Sequence, residues 1–178
     1  MSYKIIKNAR LVNEGRIQEQ EVLIKDKRIE KIASSIDIRH EAEIIDLEGN
    51  YLFPGLIDTH VHFREPGLTQ KGSISTESLA AVAGGITTFM EMPNTIPQTI
   101  TLDHWNDKMN LAAEKTFCNY SFYFGATNDN LHEIEKIDPR KTGALKIFMG
   151  SSTGNMLVDD KKTLEQIFDR CPTLIAVH

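Results

Sequence analysis

The sequence predicts a mixed α/β protein in which a small β module precedes parallel strands joined by helices. Residues 1–50 contain short alternating apolar runs separated by turns, a pattern typical of β strands. From Tyr51 onward, apolar runs of strand length alternate with helix-like segments, which indicates parallel strands with crossover helices. We therefore divide the chain into an N-terminal β domain, residues 1–50, and an α/β domain, residues 51–178.

The N-terminal module contains three strand-like stretches. Its turns are predicted at Asn13-Glu14-Gly15 and at the charged triplet Lys25-Asp26-Lys27. The apolar stretches themselves read YKIIKNARLV, EVLIKDKRIEKIA and AEIIDLEG.

The second region contains five apolar runs with helix-like segments between them, the first of which closes at Gly84-Gly85. Residues 51–178 are about half as long as a complete (β/α)₈ barrel, which takes roughly 250 residues. An open parallel sheet of another topology fits the alternation equally well, so the choice depends on motifs. The stretch at 150–154, GSSTG, predicts a loop after a strand and lacks the pattern of a phosphate-binding loop. The five runs are LFPGLIDTHVHF, GITTFMEMP, YSFYFGAT, GALKIFMG and TLIAVH.

Composition excludes several classes of protein. The formal net charge of -5 and the absence of a Lys and Arg stripe argue against a nucleic-acid partner. No apolar run approaches the roughly 20 residues of a membrane span, and the N-terminus lacks the apolar core of a secretory signal. We expect a cytoplasmic protein without a membrane partner.

Cys118 and Cys171 are far apart, which favours reduced thiols.

Asp58, His60 and His62 occupy alternate positions of the first run, so a strand would place all three on one face. Two imidazoles at this spacing can bind one zinc ion, and the carboxylate can orient or assist them. A bare H-x-H is more often a pair of partly exposed histidines on an edge strand. The residues around this motif favour a metal site.

Residues 53–67, FPGLIDTHVHFREPG, resemble the opening strand of the amidohydrolase superfamily and of its dihydroorotase branch in particular. The resemblance implies a TIM-type (β/α)₈ barrel, incomplete here with about strands 1–5, preceded by part of a small β-sandwich built from both chain ends. It also implies two zinc ions, with His60 and His62 binding the more buried one. Asp58 would then support catalysis, while the main catalytic aspartate would follow residue 178.

Lys146 alternates with Leu145 and Ile147, so it would point into the barrel while those two face the helices. Burial lowers a lysine pKa, and the neutral amine reacts with CO₂ to give an anionic carbamate. The run KIFM resembles the fourth strand of binuclear amidohydrolases, which implies that Lys146 is a metal ligand as N6-carboxylysine. The alternative is a lysine whose amine reaches solvent at the strand end.

His178 ends the fifth run, at the face where barrel enzymes hold their sites. The resemblance implies that it binds the second zinc ion. The alternative is a terminal side chain without a partner. A further histidine ligand from the sixth strand would follow residue 178.

Arg64 and Asn94 are the predicted substrate-binding residues. Arg64 follows His62 by two residues, and a guanidinium group suits bidentate capture of a carboxylate. Asn94, in MPNT after the second run, can donate its amide to the same group. In dihydroorotases the corresponding residues bind the substrate carboxylate, whereas allantoinases carry another residue at the Arg64 position. Taken singly, a surface salt bridge and a turn-forming asparagine explain them as well.

The activity that the resemblance implies is reversible zinc-dependent hydrolysis of the cyclic amide of dihydroorotate to N-carbamoyl-L-aspartate, in de novo pyrimidine biosynthesis. A homodimer and an association with aspartate transcarbamoylase are the expected partners. The alternatives are an allantoinase or hydantoinase, and a metal-free scaffold subunit, against which the retained ligands argue. Because five strands cannot close a barrel, we expect this chain to be part of a longer one and to be inactive and poorly soluble alone.

Overall fold

The structure is a computed structural model that describes residues 2–150 and 154–178. The chain divides into two compact units, Met1–Pro54 and Gly55–His178. Residues 151–153, within the loop predicted at 150–154, lie outside the described residues.

The first unit is a five-stranded sheet with the order β3-β2-β1-β4, in which β5 also pairs with β1. β1, β2 and β3 are antiparallel neighbours, whereas β4 and β5 run parallel to β1. Both predicted turns are confirmed. Glu14 and Gly15 have φ values of 49° and 71°, the pair of positive angles that a tight hairpin turn requires. The strands are β1 Tyr3–Asn13, β2 Arg16–Lys25, β3 Arg28–Ala33, β4 Glu43–Asp46 and β5 Tyr51–Leu52.

The second unit contains a parallel sheet of five strands in the order β10-β9-β8-β7-β6. The strands follow one another in chain order without the reversal that characterises a doubly wound open sheet. This topology is that of successive barrel strands. The strands are β6 Leu56–Val61, β7 Ile86–Glu91, β8 Asn119–Gly125, β9 Ala144–Ile147 and β10 Ile175–Val177.

Helices connect these strands, as the alternation predicted. Ser73, Thr101 and Asp160 cap the first, second and fourth helices by accepting a backbone N–H with their side chains. The helix-like sequence NLHEIEKI, residues 130–137, predicts a longer third helix than the four residues that the structure shows. Within the described residues, no helix combines the length and apolarity needed to cross a membrane. The helices are α1 Ile74–Ala83, α2 Leu102–Lys115, α3 Leu131–Ile134 and α4 Lys161–Arg170.

The two faces of the parallel sheet are packed differently. The face toward the helices carries the larger apolar core, which includes Phe89, Phe122 and Leu145. The opposite face carries a smaller cluster around Met92, Tyr123 and Ala144. Because strand side chains alternate between faces, a residue's position in the strand decides whether it faces the helices or the inside. The candidate site lies at the carboxyl end of the inner face.

Candidate metal and substrate site

The histidines of the H-x-H motif come together at the end of β6. The strand ends at Val61, and the imidazole centroids of His60 and His62 lie 5.5 Å apart with 51° between the ring planes. Val61 and Phe63 pack into the helix-side core, so the alternating histidines fall on the other side. Both side chains are partly exposed. The two rings are therefore neighbours at one accessible edge.

Asp58 acts on the strand backbone in this structure. Its Oδ1 accepts a hydrogen bond from the backbone N–H of His60 at 3.0 Å. The pairing of β6 with β7 is irregular between Asp58 and Val61. The carboxylate thus stabilises the irregular stretch of backbone that carries the histidines.

His62 is joined to Asn94 across the ends of β6 and β7. His62 Nδ1 lies 3.0 Å from Asn94 Oδ1. Because an amide oxygen only accepts, His62 donates through Nδ1–H, which leaves Nε2 with a free lone pair. The pKa of His62 is lowered, chiefly by burial and then by the positive charge of Arg64, and the Asn94 contact opposes this shift. The ring is therefore held in the neutral form that binds metals.

Arg64 sits in an unusual backbone conformation next to these groups. Its φ of 70° lies in the left-handed region, and its N–H donates to Glu91 Oε1 at 2.9 Å. Met92 N–H donates to Val61 O at 3.0 Å, which ties the same two segments together again. The Arg64 segment is therefore held against the end of β7, from which Asn94 follows.

Lys146 lies inside, on the fourth parallel strand. Its side chain is only 3% exposed, whereas Leu145 and Ile147 belong to the helix-side core. Burial lowers its pKa, and its charge also contributes to lowering the pKa of His62. A lysine in this setting has more of the neutral amine than a solvated one.

His178 follows β10 and extends the pairing with β9. Its N–H donates to Ile147 O at 3.1 Å, and its carbonyl accepts from Met149 N–H at 2.8 Å. Its ring centroid is 6.2 Å from that of Phe148, and the same Phe148 ring lies 5.2 Å from Lys146 Nζ. The aromatic ring thus lies near both predicted ligands.

These donors fit zinc by their chemistry. His62 has one nitrogen occupied by Asn94 and the other free, the arrangement in which a supporting hydrogen bond orients a metal-binding imidazole. Within residues 2–150 and 154–178, no three His, Cys, Asp or Glu side chains are grouped to hold a metal ion. The predicted set differs because it also needs Lys146, whose amine becomes an anionic donor only as a carbamate.

Sequence reasoning missed two features that support this site. Tyr123 is on the inner face, and its hydroxyl donates to Thr59 O at 2.9 Å, which links β8 to β6. Glu91 and Lys108 form a buried ion pair at 2.9 Å. The spacing contained a signal for this pair: Glu91 shares a strand face with Phe89, and Lys108 shares a helical stripe with Trp105.

Each of the two units contains a cavity. One, of about 290 Å³, is lined by Asn94 together with Leu68 and residues 95–98 and 154. The larger, of about 430 Å³, lies in the N-terminal sheet and contains none of the predicted site residues. The cavity next to Asn94 is the one that adjoins the site.

The remaining sequence predictions concern residues without an assigned role. Trp105 lies on a helical sequence pattern, which predicts packing, and it is buried in the helix-side core. The polar sequence contexts of His40, His104 and His132 predict solvated side chains. His40 and His132 are exposed, but His104 is half-buried, and its Nδ1 lies 2.9 Å from Gln98 O. Both cysteines, at 118 and 171, are free thiols.

Sequence comparison assigns the family. The sequence profile of the Amidohydrolase family matches residues 51–161, more than half of the chain. The chain belongs to the amidohydrolase family. β6 to β9 and the paired histidines fall within the matched residues, as do Arg64, Asn94 and Lys146, whereas β10 and His178 lie beyond them.

Similar amidohydrolases divide between two activities. A dihydroorotase of Methanosarcina acetivorans is 36% identical over 97% of this chain, and an L-hydantoinase of Paenarthrobacter aurescens is 34% identical over 98%. The solved structure of an L-hydantoinase (dihydropyrimidinase) from Arthrobacter aurescens superposes with a TM-score of 0.91 at 33% identity and covers 100% of this chain. This match confirms the predicted half-barrel with a separate N-terminal sheet. The chain spans 38%, 39% and 41% of these three proteins, respectively.

Proposed function

We propose that the protein containing this chain is a dihydroorotase, which reversibly hydrolyses the cyclic amide of dihydroorotate to N-carbamoyl-L-aspartate. Membership of the amidohydrolase family supports hydrolysis of a cyclic amide. The choice of dihydroorotate within that class depends on groups that recognise the carboxylate of the substrate, which hydantoin and allantoin lack.

The observation that carries the choice is that Arg64 and Asn94 both follow strand ends next to His62. Asn94 accepts from His62 through Oδ1, so its amide nitrogen remains available as a donor. Arg64 lies two residues after His62, and its charge acts on the same imidazole. A guanidinium group and an amide N–H₂ together match the two oxygens of a carboxylate.

In this proposal Arg64 and Asn94 bind and orient the carboxylate and contribute positioning rather than bond chemistry. His60, His62, carboxylated Lys146 and His178 would hold two zinc ions beside the scissile amide. Zinc bound there would polarise the amide carbonyl and lower the pKa of water toward about 7. The neutral state of His62, maintained by burial and neighbouring positive charge, keeps its nitrogen available at neutral pH.

Hydantoinase activity is the second candidate, and a specific observation favours it. The superposition with the Arthrobacter aurescens L-hydantoinase covers the whole chain, and the sequence identities to the two classes of relative are similar. The zinc-loaded full-length protein should therefore be assayed side by side with dihydroorotate, hydantoin and allantoin. Turnover of hydantoin or allantoin without turnover of dihydroorotate would overturn the proposal.

Arg64→Ala tests the carboxylate contact directly. We expect the KM for dihydroorotate to rise by about 100-fold with a smaller change in kcat, because a charged hydrogen bond to the substrate is lost. Arg140→Ala serves as the control, because Arg140 is 87% exposed and bonds Asp138 on the surface. Unchanged kinetics in the Arg64 variant would contradict the assignment.

The proposal extends to a cytoplasmic homodimer that can associate with aspartate transcarbamoylase. A metal-free scaffold subunit is the competing hypothesis, and the retained His60, His62, Lys146 and His178 argue against it. The zinc content of the purified full-length protein separates the two. A zinc-free protein that still binds the transcarbamoylase would favour the scaffold.

A further inference from the structure

Glu91 and Lys108 form an ion pair that is almost completely removed from solvent. Lys108 Nζ lies 2.9 Å from Glu91 Oε2, and the side chains are 1% and 0% exposed. Glu91 ends β7, and Lys108 lies within α2. Lys108 Nζ also lies 4.9 Å from the centre of the Phe122 ring. Removing two charges from water is strongly unfavourable unless the groups satisfy each other, so the pair requires good geometry.

Each member of the pair also holds a backbone group. Glu91 Oε1 accepts the N–H of Arg64 at 2.9 Å, and Lys108 Nζ donates to Met92 O at 3.1 Å. Arg64 carries one proposed carboxylate-binding group, and Met92 lies two residues before the other, Asn94. The ion pair therefore joins the two backbone segments that present the substrate-binding side chains.

The contact to Arg64 has a particular role because of its backbone. A non-glycine residue at φ 70° is in a strained region that persists only when neighbouring groups hold it. Of its backbone groups, the N–H is held by Glu91, while the carbonyl accepts from Leu68 N–H. Without Glu91 the Arg64 N–H loses its own hydrogen bond to β7, and the segment would depend on the neighbouring contact from Met92 N–H to Val61 O.

We propose that Glu91 and Lys108 are positioning residues that set the spacing between Arg64 and Asn94 and thereby the affinity for a carboxylate-bearing cyclic amide. This inference rests on the proposed function. Neither side chain is placed to touch the substrate, because both are almost completely removed from solvent. They act through the backbones of Arg64 and Met92.

A purely structural pair would make different predictions. Loss of stability alone lowers the amount of folded enzyme and affects every substrate equally. Loss of spacing between Arg64 and Asn94 affects a substrate with a carboxylate and spares one without it. The useful comparison is therefore dihydroorotate against its carboxamide analogue, in which the carboxylate is replaced by an uncharged amide.

The principal variant is Glu91→Gln in the zinc-loaded full-length protein. Arg64 N–H and Lys108 Nζ contact different oxygens of Glu91, and glutamine replaces one of these oxygens with an NH₂ group, which cannot accept a hydrogen bond. We expect the KM for dihydroorotate to rise about tenfold with kcat nearly unchanged, while kcat/KM for the carboxamide stays close to that of the unmodified enzyme. Lys108→Met should shift the same KM in the same direction.

Ile134→Ala is the matched control, because Ile134 is fully buried in the same unit and belongs to the helix-side core. It should lower the melting temperature without changing the preference for dihydroorotate over the carboxamide. An unchanged KM in Glu91→Gln, or an equal loss of kcat/KM on both substrates, would overturn the inference. If Lys108→Met does not fold, Glu91→Gln still decides the question.

Failure of the proposed function is visible before any variant of the pair is measured. If the unmodified enzyme does not hydrolyse dihydroorotate, or does not distinguish it from the carboxamide, the proposed carboxylate contact is refuted. The positioning role of Glu91 and Lys108 is then refuted as well. An enzyme that prefers dihydroorotate through Arg64 but is indifferent to Glu91→Gln refutes the positioning role alone.

Discussion

Lys146 and Lys108 are both buried in the α/β unit, but they have opposite surroundings. Lys108 is 1% exposed and lies 2.9 Å from the carboxylate of Glu91. Lys146 is 3% exposed, and within residues 2–150 and 154–178 no carboxylate lies within ion-pair distance of its amine. Burial lowers the pKa of both, but Glu91 opposes the shift of Lys108 and nothing comparable opposes that of Lys146.

The difference separates a lysine that supports structure from one that is available for chemistry. The carboxylate of Glu91 favours the charged form of the Lys108 amine and so opposes the effect of burial on its pKa, because loss of the proton would leave Glu91 as an uncompensated buried anion. An unpaired buried amine is driven toward the neutral form, which is nucleophilic and can accept CO₂. The same residue type thus has a different role in each place because of its neighbours.

The largest expected effect follows from Lys146→Met. We expect kcat/KM of the full-length enzyme to fall by more than about 100-fold, the upper end of losses from removing groups that only support metal ligands. Zinc content should fall as well. Mass spectrometry of the gently handled unmodified protein should show one added carboxyl group at Lys146. A bare amine in a zinc-loaded sample would refute the ligand assignment.

The same variant should leave the free energy of unfolding of the metal-free protein unchanged or higher. It replaces a buried amine that has no carboxylate partner among the described residues with a side chain of similar size that needs none. Denaturant unfolding of the metal-free variant measures this. A large loss of stability would show that Lys146 has a structural role like that of Lys108.

Lys108→Met should reduce stability, which Lys146→Met should not. We expect the free energy of unfolding to fall by about 3–5 kcal/mol, because Glu91 would remain buried without its counter-charge. The double variant Glu91→Leu/Lys108→Met should recover much of that loss, because both charges are then absent. Denaturant unfolding of the three proteins provides the test. Equal losses in the single and double variants would contradict this account.

The smallest expected effect on stability comes from replacing an exposed lysine, Lys136. Lys136 is 56% exposed and lies 2.9 Å from Glu133, whose pKa is lowered chiefly by the backbone N–H of Leu102 and then by Lys136. Lys136→Met should change stability by less than about 1 kcal/mol, as surface pairs do. A loss of unfolding free energy as large as that of Lys108→Met would show that the exposure of a lysine does not determine how much its ion pair contributes to stability.

The pH dependence of the Glu133 contribution follows from the direction of its pKa. A carboxylate with a lowered folded pKa adds stability above its unfolded pKa, about 4.3, and loses it as pH falls through the lower folded value. Glu133→Gln should therefore be less stable than the parent near pH 7, with the difference closing in acid. A difference that grows below pH 4 would contradict this sign.

The order of the secondary structure could be predicted because it depends on local patterns. Each of the five apolar runs after residue 51 contains a parallel strand, and the helix after the first strand ends at Gly84 as predicted. α3 is shorter than its pattern suggested. The motif around His60 and His62 also anticipated that the two rings would be neighbours, because alternate strand residues share a face.

The supporting contacts could not be predicted with the same methods. The hydrogen bond between His62 and Asn94 joins the ends of different strands, and the pair of Glu91 and Lys108 joins a strand to a helix. The sequence periodicity predicts which face of β7 carries Glu91 and which face of α2 carries Lys108. A charged residue in a helix is more often solvated, however, so the periodicity did not predict the buried pair. Those two charges come together only because α2 packs against β8 and Lys108 reaches the end of β7.

The sequence by itself determined which residues alternate on each strand, where the turns fall, and which side chains could bind zinc and a carboxylate, because these properties depend on neighbours along the chain. The tertiary structure decided the charge and orientation of those side chains. Contacts between distant segments set the proton position on His62 and the left-handed backbone of Arg64, and burial lowers the pKa of Lys146. Such effects arise only when separate strands and helices are brought together.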